Sequence, residues 1–290
     1  MKFLEEALAS ALEEKRVRIE RATPLPGGCI HDARRLVTSH GDFFAKWSDA
    51  APSDLFVAEA AGLCALAASG SDLIIPKVVA ASASSPVHPG FLILEYLAPA
   101  PSTAAQEERL GRGLARIHHA RAPKFGFEVA TYCGATRQEN TWSSSWPEFY
   151  GARRLAPLVE ILRQRGLAVD RVARYVRLVE RLPEWLVSEP VPSLIHGDLW
   201  SGNVLATTGG PGLVDPACAY VDREMEFGIT LLFGGLSERA FDAYEEESPL
   251  LHGWRDRNAL YRIYHLLNHA VLFGGGYEGQ AFDLVRRFIG

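Results

Sequence analysis

The spacing of hydrophobic and polar residues divides the chain into a strand-rich first third and a helix-rich remainder. Residues 3–15 place apolar side chains on one stripe, which predicts an amphipathic helix, and residues 54–69 are rich in alanine and leucine after a Pro-Ser-Asp helix start. Alternating or continuously apolar segments predict strands around this second helix. These strands are placed at about residues 17–22, 35–37, 43–47, 78–83 and 91–97. We therefore expect the first third to be mostly antiparallel sheet with one main helix inside it.

From about residue 103 onward the pattern is helical. Helices are predicted at residues 104–119, 146–166, 169–183, 223–234, 237–246, 253–273 and 280–289. Residues 121–145 lack a clear period, and we expect them to form an ordered insertion. The Ala-Pro-Ala-Pro run at residues 98–101 suggests a linker between a sheet lobe, residues 1–97, and a larger helical lobe, residues 98–290. A cleft between two such lobes is a favoured position for a ligand pocket.

Composition narrows the class of protein. The 290 residues suffice for two packed lobes, and 48% hydrophobic with 22% charged residues is ordinary for a globular protein. The net charge of -5 offers no bulk positive field for a nucleic-acid backbone. The apolar runs are too short to span a bilayer, and the acidic N-terminus does not fit a signal peptide. We expect a cytoplasmic protein that acts on neither nucleic acids nor membranes.

The four cysteines are too far apart for a zinc site or a disulfide framework. Cys64 and Cys218 are expected in the core. Cys29 falls in a glycine loop, where a thiol is either an unreactive small residue or, if exposed, sensitive to oxidation. The sequence leaves these two alternatives open.

The most informative chemistry lies in the run Leu-Ile-His-Gly-Asp-Leu-Trp-Ser-Gly-Asn-Val-Leu at residues 194–205. Phosphoryl transfer needs a carboxylate that orients the attacking hydroxyl and oxygen ligands that hold Mg²⁺ against the phosphates. Asp198 and Asn203 have the spacing at which a kinase catalytic loop carries the base and a metal ligand. Asp215, after a short apolar segment, is placed like the second metal ligand. A Gly-Asp turn with a capping histidine would explain His-Gly-Asp at residues 196–198 by itself. It does not explain the spacing of Asp198, Asn203 and Asp215.

The first third of the chain carries candidates for the nucleotide half of such a site. Lys46, within an apolar strand, could reach the phosphates of ATP, and Glu59, the one acid in an apolar helical stretch, is its expected partner. Backbone N–H groups at Gly27 and Gly28 could cover phosphates. The structural alternatives are a solvated strand edge for the lysine, an exposed helix face for the glutamate and a plain hairpin turn for the glycines.

The strand that ends before the linker adds a candidate for the base of the nucleotide. The backbone at Glu95, Tyr96 and Leu97 could bond the edge of adenine. A buried strand without a ligand is the alternative.

These residues resemble the fructosamine kinase (ketosamine-3-kinase) family, which belongs to the protein-kinase-like fold together with aminoglycoside phosphotransferases and choline kinases. The specific parts are His-Gly-Asp-Leu-Trp-Ser-Gly-Asn at residues 196–203, Asp-Pro-Ala at 215–217 and Tyr-Val-Asp-Arg-Glu at 220–224. Looser similarity extends over residues 17–289. Asp-Pro-Ala stands where protein kinases have Asp-Phe-Gly, and no Ala-Pro-Glu segment follows, so no regulatory activation loop is expected.

The resemblance implies an α+β, bilobal fold and ATP-dependent phosphorylation of the 3-hydroxyl of a ketosamine, either a small molecule or bound to a protein, as a step in deglycation. It implies that Asp198 is the base, that Asn203 and Asp215 bind Mg²⁺, and that Lys46 with Glu59 holds ATP. Residues near the acceptor would include one group close to the catalytic loop and one in the insertion: Trp200, Asp222, Arg223, Glu224, Gln138, Asn140 and Trp142. For residues 222–224 helix capping, and for the insertion residues ordering of their own loop, are alternatives.

Two other functions remain compatible with the sequence. One is a kinase of the same fold for another small acceptor, such as an aminoglycoside or an amino alcohol. The other is a non-catalytic ATP-binding protein, which the presence of Lys46, Asp198, Asn203 and Asp215 together disfavours. The sugar, the amine and the oligomeric state are not specified by the sequence.

Overall fold

The computed structural model describes residues 1–25, 32–186 and 190–290. Its helices are α1 (Lys2–Ala11), α2 (Leu55–Ala67), α3 (Ala104–His119), α4 (Trp146–Tyr150), α5 (Ala156–Gln164), α6 (Val169–Arg181), α7 (Glu226–Phe233), α8 (Glu238–Glu247), α9 (Trp254–Phe273) and α10 (Tyr277–Ile289). Its strands are β1 (Ile19–Pro24), β2 (Asp32–Thr38), β3 (Gly41–Ser48), β4 (Val78–Ser82), β5 (Gly90–Glu95), β6 (Thr131–Cys133), β7 (Thr136–Gln138), β8 (Ser193–Ile195), β9 (Val204–Thr207), β10 (Gly210–Leu213) and β11 (Ala219–Val221). The predicted order, a sheet first and helices afterwards, is confirmed.

The N-terminal sheet is antiparallel, with its five strands in the order β1-β2-β3-β5-β4. Because successive side chains of a strand point to opposite faces, β3 contributes to two separate cores. Phe43 and Ala45 pack with α1, whereas Phe44 faces the cluster formed with α2. Lys46 has the same parity as Phe44, so the strand directs it toward α2 and Glu59.

The helical part is built around α9, the longest helix in the described part of the chain. Twelve of its twenty residues are buried, and seven of these pack with α4, α5, α6 and α10 in one core. A second core joins α3, α7 and α8, and it includes Leu66 and Leu73 from the first third of the chain. The end of α2 is therefore packed against the helical part.

The segment predicted to be a linker is hydrogen-bonded along its length. Ala100 N–H donates to the carbonyl of Ala206 at 2.9 Å, and Thr208 N–H donates to the carbonyl of Ala98 at 3.2 Å. Ile74 also pairs with β10: its N–H donates to the carbonyl of Pro211 at 2.9 Å, and its carbonyl accepts from Leu213 N–H at 3.0 Å. The division of the chain at residues 97 and 98 stays a prediction, and the bonds of this segment fix it against β9 and the turn that follows β9.

Three local predictions need correction. The first helix ends at Ala11 and not at residue 15, because Glu13 adopts a left-handed conformation (φ 56°) that the helix cannot continue through. The helix predicted at 146–166 contains a π-helical turn over Gly151–Leu155. The second residue after this turn is Pro157, which has no N–H to donate to the preceding turn. Cys64 is exposed on α2 and is not a core residue, whereas Cys218 is buried as expected.

The insertion at residues 121–145 is ordered, as predicted, and also contains the short hairpin β6–β7. The hairpin packs on α2, and Tyr132 Oη donates a hydrogen bond to Asp54 Oδ1 at 2.6 Å. None of the helices in the described ranges combines the length and the apolar character needed to cross a membrane.

Candidate active site

Two small two-stranded sheets hold the loop that carries Asp198. The loop begins after β8, which pairs with β11, and it ends at β9, which pairs with β10. His196 fixes the loop between them: its Nε2–H donates to the carbonyl of Val214 at 2.9 Å, and its own carbonyl accepts from Ala217 N–H at 2.8 Å. Gly197 has φ 82°, and a Cβ there would lie 2.3 Å from the Ala217 carbonyl oxygen, so the turn requires glycine.

Asp198 lies at the centre of the loop with its carboxylate held from both sides. Asn203 Nδ2 donates to the Asp198 backbone carbonyl at 2.8 Å and to its Oδ2 at 3.2 Å, and Cys133 Sγ donates to its Oδ1 at 3.7 Å. Burial raises the pKa of Asp198 to about 7, and the nearby Asp215 carboxylate adds to this effect. The group is therefore poised to accept a proton near neutral pH.

Lys46 joins the sheet to the loop at Asp215. Its Nζ lies 2.7 Å from Glu59 Oε2 and 2.8 Å from Asp215 Oδ1. Burial alone would lower the pKa of Lys46, but the carboxylates of Asp215 and Glu59 overcome it and raise the pKa. Burial raises the pKa of Glu59 to about 7 in spite of the lysine, and contact with Lys46 outweighs burial at Asp215 and lowers its pKa. Both structural alternatives for the pair are excluded, since Lys46 and Glu59 are only 6% and 8% exposed.

One cavity of about 950 Å³ collects these groups. Nine of the predicted site residues line it: Lys46, Glu59, Glu95, Tyr96, Leu97, Asp198, Trp200, Asn203 and Asp215. Apolar residues also line the cavity, among them Phe44 and Leu94 from the sheet and Leu205 and Ala206 from β9. The predicted phosphate loop, with Gly27, Gly28 and Cys29, lies outside the described residues.

The other six predicted acceptor residues do not line this cavity, and their polar atoms serve internal contacts. Asp222 accepts from Glu224 N–H at 3.0 Å and from Tyr261 Oη at 2.7 Å, and Glu224 forms a two-pronged ion pair with Arg257. Arg223 donates to the hydroxyl and the carbonyl of Ser248, and also to Tyr244 Oη and the carbonyl of Pro249. These contacts favour the capping alternative for Asp222, whereas Arg223 and Glu224 join this turn to Ser248 and Arg257.

The insertion residues likewise order their own segment. Gln138 bonds Thr131 and the hydroxyl of Tyr264, and Asn140 bonds Thr131 and the buried guanidinium of Arg154. Trp142 is 40% exposed, and its ring lies 6.2 Å from that of Tyr220 at an interplanar angle of 31°. Loop ordering is the role that these contacts support.

Glu226 is a site residue that the sequence analysis missed. It is buried, and its carboxylate accepts from the N–H groups of His196 at 2.6 Å and Gly197 at 2.9 Å, directly before Asp198. His118 Nε2 lies 3.4 Å from the same carboxylate. The signal in the sequence is an acid just inside an apolar helix, the same signal that singled out Glu59.

The residues present fit a magnesium ion whose remaining ligands come from the phosphates of a nucleotide. Mg²⁺ in proteins takes oxygen ligands, commonly one or two carboxylates together with substrate phosphates. Asp215 and Asn203 offer a carboxylate and an amide oxygen at the cavity wall. No group of three His, Cys, Asp or Glu side chains in the described ranges could bind a metal by itself, so phosphate oxygens would have to supply the remaining ligands.

Comparison with known proteins agrees with this geometry. The model of the fructosamine kinase family matches residues 2–290. The chain belongs to the fructosamine kinase family. A protein of Synechocystis assigned as a ketoamine kinase is 36% identical over 93% of this chain and 90% of its own length. A chloroplastic protein-ribulosamine 3-kinase of Oryza sativa subsp. indica is also 36% identical, over 96% of this chain and 81% of its own length.

Solved structures confirm the fold of this fructosamine kinase family member. A crystal structure assigned as a fructosamine-3-kinase of Thermobifida fusca superposes with a TM-score of 0.86 at 31% identity, covering 99% of this chain and 98% of that one. An aminoglycoside phosphotransferase superposes with a TM-score of 0.64 at 17% identity, covering 99% of both chains. The second similarity shows the fold alone, and it confirms the expected protein-kinase-like, α+β architecture.

Proposed function

We propose that this protein transfers the γ-phosphoryl group of ATP to the 3-hydroxyl of a ketosamine, a sugar joined to an amine through glycation and rearrangement. The observation that carries the proposal is the convergence of Lys46, Asp198, Asn203 and Asp215 on one cavity, in a chain of the fructosamine kinase family. Phosphoryl transfer depends on positioning and charge stabilisation, and these four residues supply both.

In the nucleotide half, Lys46 holds the phosphates and Glu59 fixes the lysine. The ion pair of 2.7 Å keeps the ammonium group charged and directed into the cavity. The backbone of residues 95–97 receives the adenine edge, and the apolar residues beside it contact the ring. We retain Gly27 and Gly28 as the proposed phosphate cover.

Asn203 and Asp215 are the proposed magnesium ligands. When bound, the ion offsets the negative charge on the phosphates. Asp215 adopts a left-handed backbone conformation (φ 56°), which is rare for a residue other than glycine. Its bond to Lys46 holds the carboxylate toward the cavity in that conformation.

Asp198 is the proposed base for the acceptor hydroxyl. It accepts the proton as the oxygen attacks the γ-phosphorus, and Asn203 keeps its carboxylate in place. Trp200, on the same loop, stays a proposed acceptor contact because it lines the cavity. The relatives named as ketoamine and ribulosamine kinases support a ketosamine acceptor, either free or on a protein, and we propose the cytoplasm as its compartment.

The test is phosphate transfer from ATP to synthetic ribulosamine, erythrulosamine and fructosamine, with the product located by NMR. We expect Mg²⁺-dependent transfer to the 3-hydroxyl of at least one of them. An aminoglycoside and choline, measured in parallel, test the alternative acceptors. Transfer to one of these but to no ketosamine would overturn the proposed acceptor, and ATP hydrolysis without any transfer would overturn the proposed activity.

A further inference from the structure

A chain of buried side-chain contacts connects Arg154 to Asp198 through the β6–β7 hairpin. Arg154 lies in the π-helical turn and is buried, and burial lowers the pKa of its guanidinium to about 10, so it stays charged at neutral pH. Its hydrogen bonds go to two backbone carbonyls and, at 2.6 Å, to Asn140 Oδ1. In the described ranges no Asp or Glu carboxylate acts on it. A buried charge without a counter-charge is costly, which points to a use for this charge elsewhere in the structure.

The first half of the chain lies in and beside the hairpin. Asn140 Nδ2 donates to Thr131 Oγ1 at 2.9 Å, and Thr131 Oγ1 donates to Gln138 Oε1 at 3.0 Å. Gln138 Nε2 donates in turn to Tyr264 Oη, on α9, at 2.5 Å. All four side chains are buried, so water does not compete for these bonds.

The second half of the chain ends on the carboxylate of Asp198. The hydroxyl of Tyr264 contacts the thiol of Cys133, and Cys133 Sγ donates to Asp198 Oδ1 at 3.7 Å. Burial raises the pKa of Cys133 well above its usual value, so the thiol keeps its proton and remains a donor. Asn268 Nδ2 fixes the backbone beside it by donating to the Cys133 carbonyl at 3.2 Å. Because Asn203 bonds Oδ2 of the same carboxylate, Cys133 is the contact that fixes its other oxygen.

The donors of this chain all point toward Asp198. The direction at Tyr264 follows from its partners, since its oxygen accepts from Gln138 and its proton is left for the sulfur of Cys133. Hydrogen bonds that share a direction polarise one another, and a cation at the donor end with a carboxylate at the acceptor end strengthens the series. We call the series the buried chain, and its members from donor end to acceptor end are Arg154, Asn140, Thr131, Gln138, Tyr264, Cys133 and Asp198.

We propose that Cys133 is a positioning residue for Asp198, and that the charge of Arg154, acting through the buried chain, holds the Cys133 thiol toward the carboxylate. This inference rests on the proposed function and deepens it. A reacting group misplaced by about 1 Å can lose about 100-fold in rate, so the contact that fixes Oδ1 matters for the transfer step. No bond of the buried chain involves Lys46 or Asp215, and nucleotide binding should not depend on it.

The first test removes the donor at Cys133, with the ketosamine that wild type phosphorylates as acceptor. We expect Cys133→Ala to lower kcat about 3- to 30-fold while KM for ATP stays within about twofold, because a misoriented base slows transfer and leaves nucleotide binding intact. Cys133→Ser keeps a donor at this position and should recover at least about a third of the wild-type kcat. In the Asp198→Asn background there is no carboxylate to orient, so Cys133→Ala should change the residual rate by less than about twofold.

The second test cuts the buried chain in its middle. Thr131→Val keeps the shape of the side chain and removes the hydroxyl between Asn140 and Gln138. We expect kcat to fall about 2- to 10-fold, and combination with Cys133→Ala should add less than about twofold to the loss in Cys133→Ala alone. Thr136→Val is the matched control and should keep kcat within about twofold, because Thr136 lies on the same hairpin and its buried hydroxyl has no partner among the described residues.

The two tests give outcomes that can be told apart. If Cys133→Ala lowers the rate equally with and without the Asp198 carboxylate, or raises KM for ATP as much as it lowers kcat, the thiol supports the fold and does not position the base. If Thr131→Val behaves like Thr136→Val, the charge of Arg154 does not act through the buried chain. Circular dichroism checks folding, and if Cys133→Ala does not fold, the two valine variants decide. Near-normal turnover in Asp198→Asn, or no transfer by wild type, would overturn the proposed function and this inference with it.

Discussion

At the scale of single residues, Asp198 is the group on which the proposed chemistry depends. In Asp198→Asn the side chain keeps its shape, but it can no longer take a proton. We expect kcat to fall by about 10²- to 10⁴-fold, the usual contribution of a general base. The affinity for ATP should change little, because Lys46 and Asp215 are untouched. Single-turnover kinetics and calorimetric titration with ATP measure the two quantities, and near-normal turnover would remove Asp198 from its role.

The role of Glu59 in ATP binding can be tested apart from proton transfer, because its carboxylate contacts Lys46. Glu59→Gln keeps the size of the side chain but removes one of the two carboxylates that position the lysine. We expect KM for ATP to rise about 10- to 150-fold, since a hydrogen bond between charged groups contributes about 1.5–3 kcal/mol and each 1.4 kcal/mol is about tenfold. KM for the acceptor should stay close to that of wild type. Glu6→Gln, an exposed glutamate on α1, is the matched control, and an unchanged KM for ATP in Glu59→Gln would contradict the assignment.

The sequence predicted which side chains of the Asp198 loop meet at the cavity better than it predicted which residues line the acceptor side, for a physical reason. Asp198, Asn203 and Asp215 lie close together along the chain, so their spacing alone constrains where the side chains meet. Asp222 and Glu224 are equally close, but sequence does not show which side of a helix start each one faces. In the structure their carboxylates are used by Tyr261 and Arg257.

At the scale of elements, the β6–β7 hairpin links the helical part to α2, which carries Glu59. The bond between Tyr132 Oη and Asp54 Oδ1 joins them at 2.6 Å, and burial together with Asp54 raises the pKa of Tyr132 to about 12. We expect Tyr132→Phe and Asp54→Asn each to cost about 0.5–1 kcal/mol, because the bond is partly exposed to solvent.

A double-mutant cycle measured by thermal unfolding tests this link. The double variant should lose little more stability than either single variant, since both remove the same bond. Additive losses would show that the two side chains act independently. A parallel rise of KM for ATP in Tyr132→Phe would show that the hairpin also holds α2 in position for Glu59.

Prediction of the elements was limited by their length. The helix at 104–119 was predicted with the bounds that the structure shows, because it spans four turns of regular pattern. The hairpin strands have three residues each, too few for an alternating pattern to stand out. The early end of α1 depends on the left-handed conformation of Glu13, which no periodicity reveals.

At the scale of the whole molecule, buried histidines make stability depend on pH. His265 on α9 packs against Gly228 of α7, and burial lowers its pKa to about 3. Burial also lowers the pKa of His118 and of His196. An unfolded histidine has a pKa of about 6.5, so between about pH 6.5 and 3 the unfolded state binds a proton that the folded state does not. The contribution of His265 to stability is therefore complete above about pH 6.5 and is lost as the pH falls toward 3.

Buried acids change the stability with pH in the opposite direction. The contribution of His265 is therefore isolated by comparing the pH dependence of wild type with that of a variant without this histidine. Burial raises the pKa of Glu59 and of Asp198 to about 7, and these groups favour the folded state as the pH falls. Wild type should lose about 2 kcal/mol more than His265→Gln between pH 7 and pH 5, because one pKa unit corresponds to about 1.4 kcal/mol. Urea unfolding at both pH values measures this, with the exposed His252→Gln as control. If His265→Gln and wild type lost stability equally over that range, His265 would have to take up its proton without unfolding, and the packing of α7 on α9 would have to open to admit it.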